Sequence, residues 1–214
     1  MDFKLDRNKT MFLFIDIQDS LANAIYDKER MLHYAGVLAD TAEIMKIPTI
    51  FTTQYKKGLG EFTHSIRSKV SDAVDFDKKS FSCMLDEDIA AYIEKEKPEQ
   101  VVVCGMETHI CVLLTVRDLI ERGIDVYVAQ DAISSRNPES AIFAYEEMRQ
   151  MGASIRPTET ILFDLNSVSG TDEFKAVQKL IKQCDFCIRR IYISAEAFRF
   201  LVPRIVNRGV RIAF

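Results

Sequence analysis

The chain has 214 residues, 48% of them hydrophobic, and 28 basic against 32 acidic residues leave a net charge of −4. That length suits one domain with a sizeable core, and the mild acidity argues against a nucleic-acid partner. No apolar run approaches the ~18 residues of a membrane span. The five cysteines (83, 104, 111, 184 and 187) form no disulfide framework, so a reducing cytosol is expected.

The first residues are charged and lack a signal peptide's apolar stretch. Thr10 to Ile15 is then a continuous apolar run, as in a strand buried on both faces. Between Asp27 and Lys46, apolar residues recur at helical spacing (Met31, Tyr34, Ala35, Leu38, Ala42, Met45). Pro48 to Thr53 reads as a second strand, followed by a glycine-containing loop from Gln54 to His64. A helix over Asp86–Lys97 stops at Pro98. Gln100–Cys104 is a third strand, with a helix over Ile110–Arg122 ending at Gly123. Ile124–Ala129 is a fourth strand, Pro138–Met151 a helix with proline in its first turn, and Ala153–Arg156 a short fifth strand. Strands alternating with helices predict a parallel sheet with helices on both faces.

The segment 184–214 differs in charge. Six arginines against two acids give it +4 and leave −8 on residues 1–183. A short helix from Ser194 to Asn207 would carry Phe198, Leu201, Val202 and Ile205 on one side. It is either an ordinary packed terminal helix or a subunit contact. The spacing Cys184-Asp-Phe-Cys187 has no further ligands in register with it for a zinc site.

Ligands in such sheets bind outside the carboxyl ends of the strands. Asp16 follows the first strand and Cys111 the third, so both are expected at one crevice. Asp16 suits a general acid–base, or else a turn or helix cap. A cysteine in the first turn of a helix lies at the positive end of the macrodipole, which favours thiolate. Fast alkylation well below the free-thiol pKa of ~8.5 is the expectation, slowed by loss of a neighbouring lysine. Lys78 and Lys79 both qualify for that role. Cys104 lies within an apolar strand and suits the core; His109 suits a polar helix entry better than a Cys–His dyad. A dinucleotide-binding turn would need a G-x-G-x-x-G run after the first strand, and Asp16-Ile-Gln-Asp-Ser20 has no glycine.

Four stretches, in order, resemble the isochorismatase-like cysteine hydrolase superfamily, and its isochorismatase-domain-containing group in particular. They are Phe14-Ile-Asp-Ile-Gln18, Gln54-Tyr-Lys-Lys-Gly-Leu-Gly60, Lys78-Lys-Ser-Phe-Ser82 and Cys104-Gly-Met-Glu-Thr-His-Ile-Cys-Val112. The similarity continues through Asp131-Ala-Ile-Ser-Ser135 and fades after about Lys182. The resemblance implies an α/β fold, a three-layer αβα sandwich around a mainly parallel, Rossmann-like sheet. It implies a hydrolase domain over residues 1–183 and leaves 184–214 as an extension. The implied triad is Asp16, Lys78 and Cys111, with the backbone amides of Glu107 and Cys111 as oxyanion hole and a cis peptide bond between Met106 and Glu107. Gln18, Tyr55 and Phe81 are expected to line the substrate pocket. Relatives that bind a nicotinamide-coordinating metal carry an Asp-x-His cluster where this chain reads Thr53-Gln54-Tyr55-Lys56, so no metal and no cofactor are expected. The implied activity is cysteine-dependent hydrolysis of a small amide or related carbonyl through an acyl-enzyme, by a cytoplasmic homo-oligomer without nucleic-acid or membrane partners. The alternative is a non-catalytic interaction protein that retains the fold.

Overall fold

The computed structural model describes residues 3–182; the extension 184–214, with Cys184 and Cys187, lies outside the described residues. Among the described residues, six strands form one parallel sheet in the order β3-β2-β1-β4-β5-β6. In chain order they are β1 (Thr10–Ile15), β2 (Thr49–Gln54), β3 (Val74–Lys78), β4 (Gln100–Met106), β5 (Asp125–Ser134) and β6 (Ser154–Arg156). Every residue of β1 and β4 is buried, as a parallel sheet covered on both faces requires. The helices are α1 (Asp19–Ala22), α2 (Lys28–Met45), α3 (Lys56–Leu59), α4 (His64–Arg67), α5 (Glu87–Glu96), α6 (Leu113–Glu121), α7 (Pro138–Gln150), α8 (Thr158–Leu165) and α9 (Asp172–Lys182). Helix α2 packs with α8 and α9, and α6 with α7. No helix among the described residues is long and apolar enough to cross a membrane.

The long helices follow local rules. Asp86 caps α5 by accepting from the Ile89 amide, and Asn137 caps α7 by accepting from the Glu139 amide. Pro138 occupies the first turn of α7, where its missing N–H is no loss. Three expectations shift. Strand β5 runs to Ser134 rather than Ala129. The helix expected to begin at Ile110 begins instead as a π-helical turn, Thr108–Val112, that continues into α6. And β3 is a strand in a stretch to which the sequence reading assigned no element, with exposed Asp75 and Asp77 alternating with Phe76 and buried Lys78. This is an edge strand, and charged residues on an exposed edge discourage pairing with other chains.

The strand order reverses direction at β1, whose neighbours are β2 and β4. The chain leaves β1 toward one side of the sheet and β4 toward the other, which opens a crevice between their carboxyl ends. The two strands meet unusually closely there. Gly105 has φ +129°, and a Cβ on it would lie 2.1 Å from the Ile15 carbonyl oxygen. Only glycine accommodates both the backbone conformation and the contact.

Gly105→Ala is therefore expected to destabilise the fold by about 3 kcal/mol or more, from overpacking plus backbone strain. The check is urea unfolding followed by circular dichroism; an unchanged midpoint would contradict the close approach of β1 and β4.

Candidate active site

Asp16 is the first residue past β1 and has a left-handed backbone, φ +53°, which aspartate tolerates better than most residues. Its amide donates to the Thr52 carbonyl (3.1 Å), and its side chain is fully buried. Two donors meet that carboxylate. Thr52 Oγ1 donates to Oδ1 at 2.8 Å, and Lys78 Nζ to Oδ2 at 2.6 Å. Lys78 ends β3, and the two-residue period of a strand turns it inward while Lys79 is exposed. Its ammonium has three further acceptors: Gln54 Oε1 (2.7 Å), the Ser80 carbonyl (3.1 Å) and the Phe81 carbonyl (3.3 Å). Burial opposes the lysine's charge. The Asp16 carboxylate, the thiol sites of Cys83 and Cys111 and the hydrogen bond to Asp16 outweigh it, so the pKa is raised.

Cys111 enters from the other side of the crevice, in the π-helical turn after β4. The Met106–Glu107 peptide bond is cis. The Glu107 carbonyl accepts from the amides of Ile110 (3.0 Å) and Val112 (3.2 Å). An α-helical turn would have committed the Cys111 amide to that oxygen, so the wider turn leaves it uncommitted there. The turn is tied to the loop after β5. The Glu107 carboxylate accepts from the Arg136 amide (2.9 Å) and Nε (3.1 Å), and His109 Nδ1 pairs with Ser135 Oγ at 2.9 Å. His109 is thus occupied with Ser135.

Cys111 is a free thiol, 7% exposed, and faces the charge of the Asp16 carboxylate. Burial and the negative charge of Asp16 push its pKa up to about 12, against the opposing pull of Lys78. The expectation of a thiolate stabilised at a helix start is overturned. Burial first, and then the negative charge of Asp16, hold the proton on sulfur against the pull of Lys78.

The expected pocket residues divide. Gln18 is fully buried, and its amide is consumed by the Gln54 amide and carbonyl and by the Gly60 carbonyl, so it has nothing to offer a ligand. Tyr55 and Phe81 are 48% and 57% exposed and lie beside the lysine: the Tyr55 amide donates to the Lys78 carbonyl, and the Phe81 carbonyl accepts from the ammonium. A cavity of about 560 Å³ lined by Phe51, Thr53, Arg67 and Asp77 lies across β2 from Thr52 and Gln54, away from Asp16. Residues to which the motif reading gave no role are Thr52, Gln54 and Cys83. Thr52 and Gln54 stand two apart on the face of β2 that meets Asp16 and Lys78, so strand periodicity could have found them. Cys83 is fully buried, with its sulfur 4.0 Å from Thr52 Oγ1, and burial raises its pKa to about 11.

A model of the isochorismatase domain matches residues 10–160. A secreted isochorismatase effector of Phytophthora sojae (strain P6497) is 34% identical over 185 residues, 84% of this chain and 88% of its own. The structure of MAR1 ribonuclease from Caenorhabditis elegans is 34% identical with a TM-score of 0.79, covering 84% of this chain and 93% of that one. The YcaC gene product of Escherichia coli, an octameric hydrolase of unknown specificity, shares the fold at 23% identity and a TM-score of 0.82, covering 92% of this chain and 98% of its own.

Alkylation of Cys111 by iodoacetamide, followed by mass spectrometry on folded protein, is expected to be slow at neutral pH and to climb with pH. Asp16→Asn removes the charge that holds the proton and should speed labelling; Lys78→Met should slow it. Slower labelling of the Asp16→Asn protein would refute this electrostatic reading.

Proposed function

The chain belongs to the isochorismatase family, and on that premise we propose that it is a cysteine-dependent hydrolase of a small amide or related carbonyl compound, with Asp16, Lys78 and Cys111 as catalytic residues. The observation that carries the proposal is the convergence of a carboxylate, an ammonium and a thiol, two of them fully buried, at the carboxyl-end rim of β1, β3 and β4.

In the first half-reaction, the Cys111 sulfur attacks the carbonyl carbon while its proton passes to Asp16. The carbonyl oxygen becomes an oxyanion held by the amides of Glu107 and Cys111, each worth roughly 3–4 kcal/mol in the barrier. Collapse of the tetrahedral adduct breaks the C–N bond, and the departing amine takes the proton from Asp16. A thioester remains. In the second half, water gives a proton to Asp16 and attacks the thioester. The acid leaves, and the proton on Asp16 returns to sulfur. Lys78 stays a cation throughout, because all the groups around its ammonium are acceptors, and it offsets the charge exchanged between Asp16 and Cys111. Tyr55 and Phe81 would flank the entrance and favour a substrate with an apolar portion.

Free, buried Cys83, Cys104 and Cys111 are consistent with a reducing, cytoplasmic setting. Exposed Ile142 and Phe143 on α7 suit a homo-oligomer contact. Residues 1–183 would form the hydrolase domain, with 184–214 as its extension. A ribonuclease, the activity named for the Caenorhabditis elegans relative, is less well supported: the buried ammonium already faces four acceptors, which leaves little positive charge for a phosphodiester.

A panel of small amides is the test, with wild type and Cys111→Ala compared and RNA assayed in parallel. Turnover of at least one amide is expected, with a mass increment on Cys111 under single-turnover conditions and loss of turnover in Cys111→Ala. No amide turnover and no acyl adduct would favour a non-catalytic interaction protein; RNA cleavage surviving in Cys111→Ala would also refute the mechanism.

A further inference from the structure

We propose that Gln54, braced by Gln18, is a positioning residue that fixes the Lys78 ammonium against Asp16 by offering it an uncharged acceptor; this rests on the catalytic reading of Asp16, Lys78 and Cys111. Gln54 Oε1 accepts from Lys78 Nζ at 2.7 Å, while Gln54 Nε2 donates to the Lys79 carbonyl at 2.9 Å. The second bond fixes the orientation of the amide. Turned over, the amide would set an NH₂ against the ammonium and a carbonyl against the Lys79 carbonyl, two repulsions in place of two hydrogen bonds.

Gln18 holds the backbone of the same residue. Its Oε1 accepts from the Gln54 amide (2.8 Å), and its Nε2 donates to the Gln54 carbonyl (3.2 Å) and the Gly60 carbonyl (2.7 Å). A side chain two residues past Asp16 therefore grips the residue that holds the partner of Asp16. The loop it grips is itself fastened, through the Thr63 amide donating to the Ile17 carbonyl (2.7 Å) and Ser20 Oγ donating to the Leu59 carbonyl.

The neutrality of Gln54 matters as much as its geometry. The charged or titratable groups that weigh most on the Cys111 thiol are Asp16 just past β1, Lys78 from β3 and Cys83 from the short turn after it. Asp16 is the sole carboxylate among them. A second carboxylate on Lys78 would share the cation and add negative charge beside the sulfur that must become anionic. An amide supplies the same hydrogen-bond acceptor without that charge.

Two substitutions separate the functions. Gln54→Glu is isosteric and keeps an acceptor but adds charge; Gln54→Met removes the acceptor at similar volume. Cys111 alkylation between about pH 8 and pH 10 is expected to be slower for Gln54→Glu than for wild type at every pH, its profile displaced upward. The Gln54→Met profile should move in the same direction by less. On whichever amide the panel identifies, Gln54→Met is expected to lose roughly 10–100-fold in kcat with KM little changed, as for a misplaced catalytic group. Gln18→Met should reproduce part of that loss. Profiles that superimpose on wild type for both Gln54 variants, with only a lower thermal midpoint, would overturn the proposal and leave Gln54 a structural residue. The labelling needs no substrate, so it decides the role of Gln54 even if wild type turns over no amide, a result that would count against the hydrolase reading alone.

Discussion

The buried ion pair between Asp16 and Lys78 is the constraint on which the rest of the site depends. Taking both charges out of water costs several kcal/mol each, and the pair persists only if geometry and extra hydrogen bonds compensate. The fold supplies both. Thr52 donates to the second carboxylate oxygen, and three further acceptors surround the ammonium. None of these groups is adjacent in sequence to Asp16. They come together because β1, β2 and β3 are neighbours in register, with Gln54 beside Lys78 and Ile15 beside Thr52. A slip of one residue in either pairing would turn the alternating side chains over and leave a buried charge unpaired. The ion pair thus also penalises wrong registers of this half of the sheet.

The same pair sets the state of the thiol. Asp16 and Lys78 act on Cys111 in opposite senses, and with burial the balance favours the protonated sulfur, pushed up to about 12. A thiolate is not stored in the resting protein. In the proposed reaction it is generated as the proton passes to Asp16 while the sulfur attacks. A resting thiol also resists oxidation and stray electrophiles better than a thiolate does.

Much of this was legible in the sequence, and the failures have physical causes. The apolar runs at Thr10–Ile15 and Gln100–Cys104 mark β1 and β4, because strands buried on both faces need uninterrupted hydrophobicity. Asp16 and Cys111 could be placed at one rim from the rule for parallel sheets. Strand β3 was hidden because its inward positions include a lysine, which reads as surface, and its outward ones are aspartates, which disfavour strands. The roles of Thr52, Gln54 and Gln18 depend on register between strands and on which way an amide faces, and no local pattern encodes either. The protonation state of Cys111 was misread because a helix start speaks only to the dipole. Burial of the sulfur, and next the charge of Asp16 from a distant part of the sequence, act against the thiolate.

The π-helical turn resolves a conflict in the demands on Cys111. In the proposed reaction the sulfur must reach Asp16 across the crevice, and the amide of the same residue must be available to a developing oxyanion. An α-helical turn would satisfy the first by spending the amide on the Glu107 carbonyl. Widening the turn gives that carbonyl to Ile110 and Val112 instead, so its hydrogen-bonding capacity is met without Cys111. The cost is a less favourable turn, held by Arg136 on Glu107 and Ser135 on His109. These ties run to the end of β5, which explains why the strand continues past Ala129: its last residues, Ile133 and Ser134, pair with Gly105 and Met106 immediately before the turn. The turn that carries Cys111 is thereby anchored on one side by β5 and faces, on the other, a carboxylate anchored by β2 and β3. Neither half of the sheet can shift without changing the distance between sulfur and carboxylate, so the proton transfer at the centre of the proposed reaction is fixed by the packing of the sheet as a whole.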